Sequence, residues 1–313
     1  MCIRDRNRSA QIAKEAIKDL PMFYSEAGDY KKAKIYFSRV AGSKSAPRLT
    51  EALAYYLADK GQKAASANLF KSLISSGVKY DKGYEYQKKI VNSFLNDPRK
   101  GVFQKEMQTW LKRYGPKSGQ ANAENIAEME TVLKKQALNS HSIAQKALTK
   151  DSLEKAELSY KLYLQHFDTY KSADEMHFLY GELLYDMKKY KEAGDQYEVV
   201  ITQFPKSNYY EKALYNTIIS LDKNLPTAEE FEKKVGERKD PIPMASDVVS
   251  FINVGTKYVK GSQRSKERTK VLHRIGVLHY YHNNFDKALP IFESIIKSNP
   301  SSEYAKYLSL IHI

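Results

Sequence analysis

The sequence predicts an all-α fold in which helix-turn-helix repeats stack into an α-solenoid. The pattern aromatic-x-x-Ala-x-x-x-aromatic occurs three times, beginning at Tyr30, Tyr190 and Phe285. Glycine and proline are sparse, at 14 and 10 of 313 residues, as expected for helices joined by short turns. A pattern that recurs at fixed internal offsets is typical of repeat architectures, in which each unit packs on its neighbours.

The second and third copies of this pattern also share a glycine and a proline. Gly181 precedes Ala193 by twelve residues, and Gly276 precedes Ala288 by the same number. Antiparallel helices with axes about 8–10 Å apart need small side chains where they touch, so we expect each glycine to face its alanine. The residues that we assign to repeat packing are Tyr30, Ala33, Phe37, Ala156, Tyr160, Gly181, Tyr190, Ala193, Tyr197, Pro205, Gly276, Phe285, Ala288, Phe292 and Pro300.

The helices can be placed along the chain from their apolar spacing and from the turn residues between them. Pro21 is expected to break the first helix, because proline lacks an amide hydrogen. Helices are predicted over 9–27, from Tyr30 onwards, and over 49–59, 64–75, 84–95, 102–114, 122–148 and 208–222, besides the two clearest repeats at 174–207 and 269–302.

These residues resemble the tetratricopeptide repeat (TPR), a 34-residue helix-turn-helix unit that stacks into a right-handed superhelix. The resemblance is close for 174–207 and 269–302, fair for 137–170 and for the helix pair ending near Phe37, and loose for 49–113 and 208–240. It implies a TPR-like right-handed α-solenoid that works as a non-catalytic scaffold. It also implies a bound protein or peptide segment in the groove of the stacked helices, and no cofactor.

A narrower resemblance concerns the stretches 160–205 and 277–300, which end in "YEVVITQFP" and "FESIIKSNP". Both are similar to bacterial envelope-associated repeat proteins, and the second is most similar to the gliding-motility group. The resemblance implies a periplasmic or outer-membrane-associated location within a cell-envelope complex.

The two ends of the chain, "MCIRDR" and "LSLIHI", back-translate with permitted codons into inverted copies of one sequence. That sequence resembles the mosaic end used in transposon-based sequencing libraries. We therefore expect 1–6 and 308–313 to be non-native, and the chain to be a fragment that lacks its true N-terminus. Cys2, the one cysteine, would then be foreign.

The remaining chain is predicted to form three segments separated by turn-rich gaps at 115–122 and 236–246. Residues 7–114 would be degenerate basic hairpins, 122–240 TPR-like repeats, and 247–307 a C-terminal TPR-like unit.

The formal net charge of +14 lies entirely in the first half of the chain. Residues 1–150 contain 28 Lys and Arg against 14 Asp and Glu, whereas 151–313 contain 23 of each. One interpretation is a solvated lysine-rich surface. The alternative is that 7–150 docks on an anionic partner, which could be nucleic acid, an acidic protein or a membrane surface. Nucleic acid is disfavoured, because no nucleic-acid-binding module is visible.

No catalytic or cofactor-binding motif appears in the sequence, so no enzyme activity, cofactor or metal site is predicted. His279 and His282 would be neighbours on a helix near His273, but no third ligand follows at a suitable spacing. No run of about 18 apolar residues is present either, so no transmembrane helix is expected.

A partner would contact the first helix of each clear repeat, at positions that face away from the second helix. These predicted contact positions are Phe178, Glu182, Tyr185, His273, Val277 and Tyr280. In the alternative interpretation, Phe178 and Tyr185 instead pack against a neighbouring repeat. TPR proteins that bind acidic chaperone tails use Asn and Lys where this chain has Gln145, Glu182 and Val277, which argues against that ligand.

Overall fold

A computed structural model shows a chain of helices joined by short turns, with no β-strand among the residues that it describes. The chain forms two compact units, Met1–Leu162 (unit 1) and Tyr163–Ile313 (unit 2). This division falls inside a helix, and the segment boundaries expected from the sequence stay predictions. The structure describes residues 3–119, 121–227, 230–231 and 240–310.

Unit 1 is built from consecutive antiparallel helices. Helix α3 packs on α4, α5 packs on α6, and α1 packs along α3. The last helix, α8, begins in unit 1 and ends in unit 2. The helices are α1 (Ile3–Ala27), α2 (Ala33–Ala41), α3 (Ala46–Asp59), α4 (Lys63–Ser75), α5 (Tyr80–Ser93), α6 (Val102–Tyr114), α7 (Ala123–Ala147) and α8 (Lys150–Phe167).

Unit 2 contains two compact hairpins, formed by α9 with α10 and by α13 with α14. Helix α11 packs on both α10 and α12, and α15 closes the C-terminal end of the α13–α14 hairpin. The helices are α9 (Ala173–Asp186), α10 (Tyr190–Gln203), α11 (Tyr210–Asp222), α12 (Ser246–Gly261), α13 (Arg268–Tyr281), α14 (Phe285–Ser298) and α15 (Glu303–Leu310).

The expected break at Pro21 is wrong, because α1 continues through this residue to Ala27. Proline removes one backbone hydrogen bond from a helix interior. Pro21 is itself buried, so packing of its ring offsets that loss. The second candidate boundary, 236–246, lies partly outside the described residues.

The turns of the two clear repeats have the same backbone geometry. The amide of Lys189 donates to the Leu184 carbonyl at 2.9 Å, and the amide of Asn284 donates to the His279 carbonyl at 3.0 Å. The residue before each of these amides is left-handed, with φ of 60° and 56°. Equivalent positions are separated by 95 residues in the sequence, so the two hairpins are copies of one design.

The α3–α4 hairpin has this turn as well, although the sequence resemblance is only loose there. The amide of Gln62 donates to the Leu57 carbonyl at 2.8 Å, and Gly61 takes the left-handed position with φ of 74°. Ala54 and Ser66 stand where the clear repeats have glycine and alanine, and the Ser66 hydroxyl donates to the Ala54 carbonyl at 2.7 Å. The resemblance is only loose here because Lys63 and Ser66 replace the leading aromatic residue and the alanine of the pattern.

Candidate functional site

The glycine of each clear repeat makes room for an aromatic ring of the second helix. A Cβ added to Gly181 would lie 2.5 Å from the ring of Tyr197, and one added to Gly276 would collide with the ring of Phe292. The nearest side chain is therefore the aromatic ring, and not the alanine that the sequence analysis placed opposite each glycine. The alanines Ala193 and Ala288 are nevertheless fully buried within the same hairpins.

The other residues assigned to repeat packing divide into a buried set and an accessible set. Helix-ending Pro205 and Pro300 are exposed, and Tyr30 and Tyr190 are half-buried. At most 4% of the side chain is accessible at Ala33, Phe37, Ala156, Tyr160, Tyr197 and Phe292.

Phe178 and His273, two of the predicted contact positions, are covered by their own unit. Phe178 is 7% exposed and stacks on Tyr209, with ring centroids 4.8 Å apart. At the equivalent place, His273 lies 4.7 Å from the ring of Tyr304. Phe178 is therefore not exposed and follows the alternative interpretation, because Tyr209, the residue just before α11, covers it. The sequence could have indicated this cover, since a tyrosine stands 31 residues after both Phe178 and His273.

Glu182, another predicted contact, is engaged inside unit 2. Its Oε1 accepts hydrogen bonds from the Tyr197 hydroxyl and from the Asn216 side-chain amide, each at 2.6 Å. These donors belong to α10 and α11, so one carboxylate of α9 connects three helices. Burial, followed by the hydrogen bond to Glu182, raises the pKa of Tyr197 above its usual value. Val277, at the equivalent position in α13, packs against a small apolar core that includes Phe292.

Tyr185 and Tyr280 are the predicted contacts that stay accessible. Each makes an edge-to-face pair with the aromatic residue that begins the second helix. The ring of Tyr185 lies 5.0 Å from that of Tyr190, and the ring of Tyr280 lies 5.5 Å from that of Phe285. Tyr185 is half-buried, while Tyr280 and Phe285 are 44% and 40% exposed. The same aromatic pair therefore reaches solvent at the turn of both clear repeats.

Helix α14 presents further apolar side chains to solvent beyond this pair. Leu289 and Ile296 are 38% and 37% exposed and lie on the same side of the helix as Phe285, at spacings of four and eleven residues. We call Tyr280, Phe285, Leu289 and Ile296 the α14 apolar face. The sequence analysis did not assign Leu289 and Ile296 to a site, although their helical spacing could have indicated one.

The histidines near the end of α13 are held by packing and by backbone contacts. Nδ1 of His282 lies 2.7 Å from the Leu278 carbonyl oxygen, and its ring contacts Phe231 at 5.3 Å. Burial, with a smaller contribution from Lys287, lowers the pKa of His279. Among the described residues, no group of three or more His, Cys, Asp or Glu side chains is placed to hold a metal ion.

Comparison with known proteins agrees with the repeat architecture. The tetratricopeptide repeat family matches residues 175–207 and 270–302, which are the two clear repeats. The crystal structure of the P58(IPK) TPR domain is similar at 12% sequence identity and a TM-score of 0.24, covering 98% of this chain and 86% of that chain. No curated protein matches the chain in sequence.

The helical hairpins and the two sequence matches lead to the same assignment. Over its described residues, the chain is an all-helical protein with TPR-like repeats, and two of these repeats match the tetratricopeptide family in sequence.

Proposed function

We propose that this chain is a non-catalytic scaffold that binds a protein or peptide segment through the accessible aromatic side chains of unit 2. Tetratricopeptide repeats generally mediate protein–protein interactions, and the fold is typically non-catalytic. The observation that carries the proposal is the pair of accessible aromatics, Tyr185 and Tyr280, which occupy equivalent positions in both clear repeats.

Accessible aromatic rings suit a binding surface for a physical reason. Tyrosine brings a large contact area at a small cost in conformational entropy, and it is enriched among residues that dominate binding energy. Tyr280 belongs to the α14 apolar face, so a partner segment can bury several apolar side chains together. Glu182 and Phe178 supply internal contacts, which leaves their neighbour Tyr185 as the accessible member of that helix face.

The proposal is tested by quantitative affinity purification from a bacterial envelope extract, with Tyr185→Ala/Tyr280→Ala compared with the wild-type chain. Both rings are at least partly exposed, so their removal is expected to leave the fold intact. We expect one or more proteins captured by the wild type to be depleted about tenfold or more with the double variant, because each aromatic contact contributes about 1–2 kcal/mol.

The matched control is Tyr56→Ala/Tyr210→Ala, which removes two half-buried tyrosines elsewhere in the chain. The control should capture the same proteins as the wild type. Equal recovery of every protein with all three chains would contradict the assignment of Tyr185 and Tyr280 to the binding surface.

We further propose that the partner belongs to a bacterial cell-envelope complex, with the chain in the periplasm or at the outer membrane. This rests on the resemblance of 160–205 and 277–300 alone, and the comparisons give it no support. No described helix is both long and apolar enough to cross a bilayer. Repeating the purification with a cytosolic extract tests this point, because a partner captured only from the cytosolic extract would contradict it.

A further inference from the structure

A groove in unit 1 runs between α1 and the beginning of α3. It has a volume of about 540 Å³, and four of its eight lining side chains are cationic. Lys14 and Lys18 lie one turn apart on α1. Arg48 lies in the first turn of α3, and Lys44 lies just before that helix. We call these four residues the groove cations. The lining contains no carboxylate.

Several cations of unit 1 pair with described carboxylates, but the groove cations do not. None of the four forms an ion pair with a described residue, whereas Lys71 pairs with Glu106 at 2.6 Å. Further lysines of unit 1 pair with carboxylates across helices, namely Lys82 with Glu51, Lys88 with Glu128 and Lys100 with Glu154. Four like charges around one groove repel each other, so a bound anion would relieve a repulsion that the chain itself leaves uncompensated.

The floor of the groove is apolar. Ile17 is half-buried and Leu49 is buried, and both line the groove together with Ala52. A ligand that fits must therefore offer anionic groups at the rim and an aliphatic group at the floor. From this geometry we infer that the groove binds a peptide segment that combines acidic and aliphatic side chains.

The shape of the groove favours a peptide over the other anionic partners. A bilayer surface is broad, and it would meet protruding side chains before it reached a recessed floor. A nucleic acid carries evenly spaced phosphates and would be matched by cations distributed along a track, rather than clustered around one groove. The inference rests on the proposed scaffold function, but it concerns residues of unit 1 that the proposed binding surface does not use.

The test is fluorescence anisotropy of the full chain with a short labelled peptide of glutamate and leucine residues, at low and at raised salt. We expect the wild type to bind this peptide and binding to weaken as salt rises. The variant Lys18→Gln/Arg48→Gln should bind about tenfold more weakly, because two charge contacts to the peptide are lost at an exposed site.

The matched control is Lys31→Gln/Lys32→Gln, which removes the same charge from two exposed lysines of unit 1 outside the groove. Its affinity should stay within about twofold of the wild type, because separated surface charges are screened. Circular dichroism of each variant verifies that the helices are intact.

Several outcomes would overturn the inference. One is that the wild type does not bind the peptide. Another is that both variants lose the same affinity for the peptide, which would indicate attraction by net charge alone. Tighter binding to phosphatidylserine vesicles or to single-stranded DNA, lost with Lys18→Gln/Arg48→Gln, would replace the peptide as occupant. If the chain does not bind the peptide but still captures protein through Tyr185 and Tyr280, the groove proposal is wrong and the proposed function is unaffected.

Discussion

His273 illustrates how packing in unit 2 controls the charge of a single side chain. Its ring lies between those of Phe292 and Tyr304, and its Nε2 is buried without a hydrogen-bond partner among the described residues. Burial, and secondly the charge of Arg274, lower the pKa of His273 below its ordinary value of 6.5. Folding therefore favours the neutral form of this imidazole over the charged form.

Because of this lowered pKa, the free energy of unfolding should decrease as the pH falls. A histidine whose folded pKa lies below its unfolded value contributes stability above pH 6.5, and that contribution is lost as the pH falls towards the folded pKa. We expect the melting temperature to fall between about pH 7.5 and 5.5, and to fall less for His273→Phe, which keeps the ring contacts and cannot titrate. The residual slope of the variant would come from His279, whose pKa is also lowered. An unchanged slope in His273→Phe would contradict this account of the packing.

At individual positions, the sequence indicated which residues pack in the hairpins better than it indicated which neighbours cover them. The alanine and the second aromatic of each repeat were predicted to pack, and they are buried. The leading aromatics stay accessible, since Tyr30 and Tyr190 are half-buried and Phe285 is exposed. Phe178 was placed in a groove because one helix shows which residues share a face. It does not show which neighbour covers that face, and here Tyr209 does so. The recurrence of that tyrosine as Tyr304 becomes interpretable only once the hairpins are aligned by their turns.

The connection among α9, α10 and α11 depends on Glu182, to which the sequence assigned a different role. Its Oε1 binds the hydroxyl of Tyr197 and the amide of Asn216. Sequence reasoning places a helical glutamate on a solvated surface, because it cannot reveal donors on helices that are separated along the chain. Thus hairpins can be predicted from spacing, whereas the polar contacts between them depend on three-dimensional placement.

Tyr197→Phe tests this connection between helices. The change keeps the ring against Gly181 and removes only the hydroxyl, so Glu182 retains the hydrogen bond from Asn216. We expect the free energy of unfolding, measured with urea, to decrease by about 1–2 kcal/mol, because a hydrogen bond to a charged acceptor is lost.

Tyr210→Phe is the control for that measurement, because its ring lies beneath the Lys257 ammonium group and the substitution keeps the ring. Its stability should stay within about 0.5 kcal/mol of the wild type. A Tyr197→Phe chain as stable as this control would show that the Glu182 contacts add nothing to the packing of the three helices.

At the scale of the whole chain, one hairpin design is repeated. The turns of α9–α10 and α13–α14 share their hydrogen bonds, their left-handed residue and the contact between glycine and an aromatic ring. The repeat architecture was predictable because glycine and aromatic residues recur at the same offsets. For the α3–α4 hairpin the predicted resemblance was only loose, because Lys63 and Ser66 replace the leading aromatic residue and the alanine.

The charge distribution belongs to this scale as well, since the sequence showed that the basic excess lies in the first half of the chain. It could not show that four of those cations surround one groove, because Lys14 and Arg48 are separated by more than one helix along the chain. The segment boundaries at 115–122 and 236–246 stay predictions.

The glycine-to-ring contact shared by the two hairpins is tested most directly by the free energy of unfolding of three glycine variants. Gly181→Ala and Gly276→Ala each place a methyl group against a buried ring, so each should cost about 1–3 kcal/mol. Gly194→Ala is the control, because its new Cβ would lie 3.8 Å from Ser220, and the helix should gain up to about 1 kcal/mol. If Gly181→Ala and Gly276→Ala are as stable as Gly194→Ala, the two hairpins do not share the glycine-to-ring contact, and the account is wrong.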